Sequence, residues 1–425
     1  MPDPDLFAAR DQLHRALQVL RARQCDPSAD RATIEVLLTQ CSLLDTGWHH
    51  VQKYCEDVRR MIGQADAVAR AAKMGQVFYW LGEAASGARD MESCRTGLTD
   101  AVSQINWKPR AQRSPSEVPS AAALTSALTE ACGAPIELLA RQHNRFSSTF
   151  PSEILDTRWP DGTTRRMLAK YEFNRFRDMS GHRGGPAYES GVYRNVLHRL
   201  DLTRPSFWGS LDRGRGGGTW LFLEFLEGAM RPDDVASPRE ALRIAARWSA
   251  HFHNTAPRAD CLISYDAAYF RQWAVRATQS AVPWFAHCRW LERFLEYAPD
   301  LVEELGSAPT NPIHGEFTPH NLLIRDGNIF PVDWESAAIG PGEIDLAALS
   351  DGWPREVAAA CEREYVATRW PLGAPPDFRA RLDLARAYWA LRWLGNSPDA
   401  FPTLRMKQRL DALEPIARRL EAMVR

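Results

Sequence analysis

Three oxygen-bearing side chains bracket one short hairpin in the segment IHGEFTPHNLLIRDGNIFPVDWESAAIGPGEIDLAAL. Glu316 stands in a His-Gly-Glu turn, Asn321 follows five residues later, and Asp333 comes where the returning strand ends, with Glu335 just beyond. A carboxylate can take a proton from a hydroxyl. An amide oxygen paired with a carboxylate suits magnesium, a hard cation that keeps several waters. Phosphoryl transfer from a nucleotide needs that set plus a cation on the phosphates, because it depends mainly on positioning and charge neutralisation.

Lys170 is the candidate for that cation. The chain has 52 basic residues but its lysines are Lys53, Lys73, Lys108, Lys170 and Lys407, so arginine supplies almost every positive charge. Lysine is a compact point charge that suits phosphate, whereas the fork of arginine favours carboxylates. A lone lysine mid-chain therefore reads as a selected residue.

The elements that must hold these groups are legible from periodicity. Residues 1–110 read as a helical extension, with LFAARDQLHRALQVLRAR and WHHVQKYCEDVRRMIGQADAVARAAKMGQVFYWLGEA carrying apolar residues at helical spacing. KPRAQRSPSEVPSAAA gathers Pro, Ser and basic residues and reads as a boundary. Residues 120–227 read as a small β-rich lobe that would bind the nucleotide. There EILDTRWP and TTRRMLAKYEF flank Asp161-Gly162, a tight-turn signal. YESGVYRNVLHRL follows as a helix and TWLFLEFLEG as a further strand. Residues 228–425 read as a larger helical lobe carrying the catalytic and metal site, interrupted by a hairpin turning at Asp326-Gly327. GRGGG at 214–218 precedes a strand instead of linking a strand to a helix, so it reads as a connection and not a phosphate loop. ARAYWALRWLG puts Tyr388, Trp389, Arg392 and Trp393 on a helix, where such residues are usually core, with a pocket wall as the lesser reading.

Composition narrows the classes. A chain of 425 residues with a hydrophobic share of 45% and a charged share of 25% is an ordinary globular protein of two or three domains. A net charge of −1 gives no electrostatic footing for nucleic acid. No apolar run approaches a membrane span, and MPDPDLFAAR has acidic residues where a signal peptide would be basic and then apolar. The eight cysteines are scattered without a CxxC pair, which argues against structural zinc or a disulfide framework and points to a reducing cytoplasm.

HGExxxxN, then VDWE, then GxxDLA resembles the aminoglycoside phosphotransferase and choline kinase-like family, whose fold is that of the protein kinases. The resemblance implies an α+β, bilobal protein kinase-like fold, here behind an N-terminal all-helical extension. It implies ATP and Mg2+ as cofactors, with Glu316 as general base and Asn321 and Asp333 on magnesium. Lys170 would contact the α- and β-phosphates and pair with Glu189 on the following helix. TWLFLEFLEG resembles the family's hinge, where the backbone around Glu224 and Leu226 would hydrogen-bond adenine. NRFSSTFPSEIL occupies the place of the nucleotide-covering loop. It has no glycine, and Ser147 and Ser148 would bring hydroxyl and N–H groups to the phosphates. His314 reads as a structural imidazole and Asp345 as the cap of the helix beginning LAAL.

The family carries aspartate where this chain has Glu316. The same chemistry on an arm longer by one methylene, roughly 1.3 Å, either sets the acceptor back or weakens the base. Two functions follow. One is a phosphotransferase acting on a hydroxyl of a small molecule or a peptide Ser/Thr. The other is a non-catalytic nucleotide-binding pseudokinase or scaffold. The helical extension could serve a protein partner, a peptide or a second subunit, or could be packing alone.

Overall fold

The computed structural model describes residues 118–144, 150–172, 184–214, 217–285, 288–396 and 404–424. The helical extension read over 1–110 and the loop residues Ser147 and Ser148 lie outside them.

The first part of the described chain is a sheet with one helix on its back. Strands β1 (Glu137–His143), β2 (Ser152–Arg158), β3 (Thr164–Tyr171), β4 (Phe207–Asp212) and β5 (Thr219–Glu224) form an antiparallel sheet in the order β1-β2-β3-β5-β4. Helix α1 (Ala121–Cys132) begins at Ser120, whose hydroxyl accepts from the Ala123 N–H at 3.3 Å, and ends at Gly133 in the left-handed region. Side-chain alternation along the strands decides which face it covers. Leu155, Met167, Ala169, Tyr171, Trp220 and Phe222 join Leu124, Ala127 and Leu128 of α1 in one buried core. Lys170, between Ala169 and Tyr171, must then point to the other face.

The two Asp-Gly signals resolve differently. At Asp326-Gly327 both residues have positive φ, 52° and 73°, and Arg325 pairs directly with Asn328. That is the tight two-residue hairpin expected. At Asp161-Gly162 only the glycine has positive φ. The connection runs over five residues and closes with Trp159 N–H on the Thr163 carbonyl. The Asp161 carboxylate instead accepts from the Thr163 N–H and hydroxyl at 2.9 and 2.6 Å. There aspartate served as a local acceptor and not as a left-handed residue.

After helix α2 (Gly185–Asn195) and the β4–β5 pair, helices dominate. They are α3 (Pro238–Thr255), α4 (Ala267–Ala281), α5 (Arg289–Gly306), α6 (Glu343–Ser350), α7 (Arg355–Arg369), α8 (Phe378–Gly395) and α9 (Leu404–Val424). Between them lie β6 (Ile263–Ser264), β7 (Thr310–Ile313), the hairpin β8 (Leu322–Arg325) and β9 (Asn328–Pro331), and β10 (Ala338–Pro341), which joins β6 and β7 in a small sheet. A β-rich lobe followed by a helical lobe is the plan of a protein kinase-like fold. Tyr388 and Trp389 of α8 are buried, as core residues of a helix would be. Among the described residues no helix is long and apolar enough to cross a membrane.

The chain falls into two compact units. One contains Ala298–Trp389 and the described part of 114–273, and it holds every residue of the site described below. The other contains the described residues of 274–297 and 390–425.

Candidate functional site

Lys170 is the centre of the site. Its ammonium donates to Glu189 Oε2 at 2.7 Å and to Asp333 Oδ1 at 2.8 Å. Strand β3 aims the lysine, α2 presents the glutamate, and the end of β9 delivers the aspartate. Glu189 is fully buried and its second oxygen accepts from the Trp334 N–H at 3.2 Å, so both carboxylate oxygens are used. Burial works against the lysine's charge, but Asp333, Glu189 and Glu335 outweigh it and hold the ammonium well above the usual lysine range.

Negative charge is in surplus around that lysine. Glu335 is 3% exposed, and burial followed by repulsion from Asp333 pushes its carboxyl well above the ordinary range, with Glu316 and Glu189 adding to the effect. One ammonium facing several carboxylates is a setting that a divalent cation would neutralise. Among the described residues no three His, Cys, Asp or Glu side chains stand at metal-ligating spacing. The oxygen donors on offer are instead Asn321 and Asp333, at the two ends of hairpin β8–β9. The Asn321 amide nitrogen donates to the Glu316 carbonyl at 3.0 Å, which leaves the amide oxygen at the other end of the group. A set of one amide and one carboxylate fits magnesium, which relies on water and phosphate oxygens for its other ligands. Asp333 sits at φ 70°, ψ 57°, a left-handed conformation rare for any residue but glycine.

The Glu316 turn is built from the buried side. Asp345 accepts from the His314 N–H at 2.8 Å, from the Gly315 N–H at 2.9 Å and from His253 Nε2 at 3.1 Å. The helix-capping role read for Asp345 from sequence is therefore not the one it has. Helix α6 starts at Glu343 after Gly342 without a side-chain cap, and Asp345 turns inward from its first turn. His314 is fully buried, accepts at Nδ1 from the Glu316 N–H at 3.3 Å and donates from Nε2 to the Val332 carbonyl at 3.0 Å. Those partners assign the neutral Nε2–H tautomer. The structural role expected of His314 is the one it has. Gly315 is required: its φ is 76°, and a Cβ there would lie 2.1 Å from the Ser336 carbonyl. Beneath the turn, Trp248, Phe252, Phe317 and Trp334 pack ring on ring, with His314 and Trp334 centroids 4.5 Å apart.

The segment after β5 has an unusual main chain. Phe225 N–H bonds to the Arg166 carbonyl and Glu227 N–H to the Phe225 carbonyl. Among the described residues, the Glu224 carbonyl and the Leu226 N–H between them take no main-chain partner. An acceptor and a donor two residues apart therefore remain available along one short stretch.

Residues 194–380 match the model of the phosphotransferase enzyme family. The matched segment is similar to that family over somewhat less than half of the chain. The match supports a phosphotransferase as the enzyme class, and the resemblance read from HGExxxxN and GxxDLA is borne out. The match takes in Glu224, Glu316, Asn321, Asp333 and Asp345, whereas Lys170 and Glu189 precede it. Among solved structures, a choline kinase from Streptococcus pneumoniae is similar at 13% identity, covering 66% of this chain and 94% of that one, TM-score 0.47. A macrolide 2'-phosphotransferase from Brachybacterium faecium is similar at 16% identity, covering 69% and 98%, TM-score 0.43. A spectinomycin phosphotransferase in complex with ADP and spectinomycin has 12% identity, covering 71% and 94%, TM-score 0.48. No curated protein gives a significant match.

Lys170, Glu189 and Asp333 come together, and Asn321 bonds to the Glu316 main chain. Glu224 ends β5, where its carboxylate meets Ser206 and Arg325, and Leu226 follows two residues on. Sequence reasoning gave no part to His253, which holds Asp345. His-Phe-His in a helix carries no signal that separates a buried relay from a surface residue. It likewise gave no part to Arg325, whose partner is far away in sequence.

Proposed function

We propose that the protein is an ATP- and magnesium-dependent phosphotransferase that moves the γ-phosphoryl group to a hydroxyl of a small molecule or of a peptide Ser/Thr, with Glu316 as general base. The observation that carries this reading is the Lys170 ammonium held between Glu189 and Asp333 at 2.7 and 2.8 Å. Such a lysine is already positioned as a point charge for the α- and β-phosphates. Asn321 and Asp333 would hold magnesium, which when bound neutralises charge on the phosphates. The open Glu224 carbonyl and Leu226 N–H match the 6-amino donor and N1 acceptor of adenine. Ser147, Ser148 and their neighbours belong to the loop proposed to cover the phosphates.

Glu316 takes the proton of the acceptor hydroxyl as that oxygen bonds to the γ-phosphorus and the bond to the β,γ-bridging oxygen breaks, leaving ADP. The longer arm of glutamate is accommodated by an acceptor bound one methylene further from the loop backbone. The intact Lys170–Glu189 pair and the retained Asn321 and Asp333 favour this reading over a non-catalytic nucleotide-binding protein.

The test is mass spectrometry of candidate acceptors, small alcohols and Ser/Thr peptides, incubated with the full chain, ATP and Mg2+. Gain of one phosphate by an acceptor is expected, and the Glu316→Gln variant should not produce it. ATP that neither binds nor shifts the melting temperature would overturn the proposal.

A further inference from the structure

The carbonyl of Glu224 is open because its own side chain has taken its place. Strand β5 pairs with β4 so that Glu224 and Ser206 stand opposite each other, one residue beyond the Phe207–Leu223 pair. The Glu224 N–H duly donates to the Ser206 carbonyl at 2.8 Å. Regular antiparallel pairing would return the Ser206 N–H to the Glu224 carbonyl. Instead that N–H and the Ser206 hydroxyl both go to Glu224 Oε2, each at 3.0 Å. On the other side of the strand, Phe225 N–H on the Arg166 carbonyl leaves Met167 and Glu224 as a pair that exchanges no hydrogen bonds. Neither neighbouring strand therefore claims the carbonyl.

The carboxylate is held in that position from the far end of the metal-site hairpin. Arg325, the last residue of β8, donates to Glu224 Oε1 at 2.9 Å and lies over the Phe330 ring, 5.0 Å from its centroid. Beside it, Met230 and Ile324 exchange both main-chain hydrogen bonds, at 2.9 and 2.7 Å. The arginine is thus fixed on a short strand that is itself tied to the segment following β5.

We infer that the Glu224 side chain, tethered by Arg325, is a specificity-determining group for the nucleotide base: by capping Ser206 it keeps the Glu224 carbonyl free for the 6-amino group of a purine. This rests on the nucleotide-binding reading above and goes beyond it by assigning base selection to a side chain and its remote partner. The pattern on offer is a carbonyl and, two residues on, an N–H. A 6-aminopurine presents the complementary donor and acceptor. A 6-oxopurine presents an acceptor and a donor, which sets carbonyl against carbonyl and N–H against N–H. A desolvated mismatch of this kind leaves polar groups unpaired and is discriminated strongly.

Equilibrium binding of ATP, inosine triphosphate and purine riboside triphosphate to the full chain with Mg2+ tests this. Wild type should bind ATP about tenfold or more tightly than either analogue, since one hydrogen bond or a mismatch separates them. In Glu224→Ala the Ser206 N–H is free to turn to the main-chain carbonyl, and the preference for ATP should fall to about twofold or less. Arg325→Met keeps the carboxylate without its tether and should lower the preference as well. Glu224→Gln, which retains an acceptor for Ser206, should preserve it. Thermal melts without nucleotide identify folded variants, and Arg325→Met stands in should Glu224→Ala not fold. A wild type that binds all three alike, or a folded Glu224→Ala or Arg325→Met with the wild-type preference, overturns the inference and leaves the phosphotransferase reading standing. A wild type that binds none of them removes both.

Discussion

Lys170 and Glu189, nineteen residues apart in sequence, meet at 2.7 Å and tie the third strand of the sheet to helix α2. The glutamate is 1% exposed, so its charge depends on that partner. Replacing the lysine has two separable effects, on ligand and on fold.

Lys170→Met should lower turnover by about 100-fold or more, the scale on which losing a preorganised charge on a transferring group is felt. It should also destabilise the fold by about 3–5 kcal/mol, because a buried carboxylate loses its counter-charge. Steady-state kinetics and thermal melts read the two effects. Lys170→Arg should not restore full activity, since a planar fork cannot reproduce a point charge in the same space.

Glu316→Gln should reduce turnover by about 10²–10⁴-fold, the usual contribution of a general base, with ATP affinity little changed. Glu316→Asp separates two accounts of the longer arm. If the acceptor is set back to suit glutamate, aspartate will be slower than wild type by rapid-quench measurement. Aspartate faster than wild type would mean that Glu316 is a compromised base.

Gly315→Ala places a Cβ 2.1 Å from the Ser336 carbonyl on a backbone with φ 76°. Both the left-handed strain and the overlap oppose it, so a loss of about 3 kcal/mol or more in unfolding free energy is expected. Denaturant melts of the variant check this, and a neutral result would contradict the tight turn.

His253 gives stability a defined pH dependence. Burial holds its pKa below the ordinary 6.5, against the pull of Asp345. The unfolded side chain takes up a proton near that ordinary value while the folded one resists. Its stabilising contribution is therefore fully present above pH 6.5 and is lost as pH falls below it, at up to about 1.4 kcal/mol per pH unit. Denaturant titrations between about pH 5.5 and 7.5, roughly one unit to either side, should show that slope in wild type and a shallower one in His253→Gln.

Much of this was legible because the signals were local. The Asp326-Gly327 turn, the strand that carries Lys170 and the order Glu316, Asn321, Asp333 are written in consecutive residues. The partners that matter at long range were not. Asp345 reads as a helix cap because aspartate near a helix start usually is one. Only the folded chain shows its carboxylate under the His314 and Gly315 amides, thirty residues back. Arg325 meeting Glu224 across 101 residues has no periodicity to announce it. The sequence likewise gave no warning that the first Asp-Gly would use its carboxylate in place of a left-handed backbone.

The anchoring of the Glu316 turn by Asp345 bears on how this site could have changed over time. Its amides are satisfied from α6, its imidazole by Val332, and its last carbonyl by Asn321. None of those bonds involves the Glu316 carboxylate. These bonds hold the turn through its main chain and the His314 ring, so an exchange of aspartate for glutamate leaves them in place.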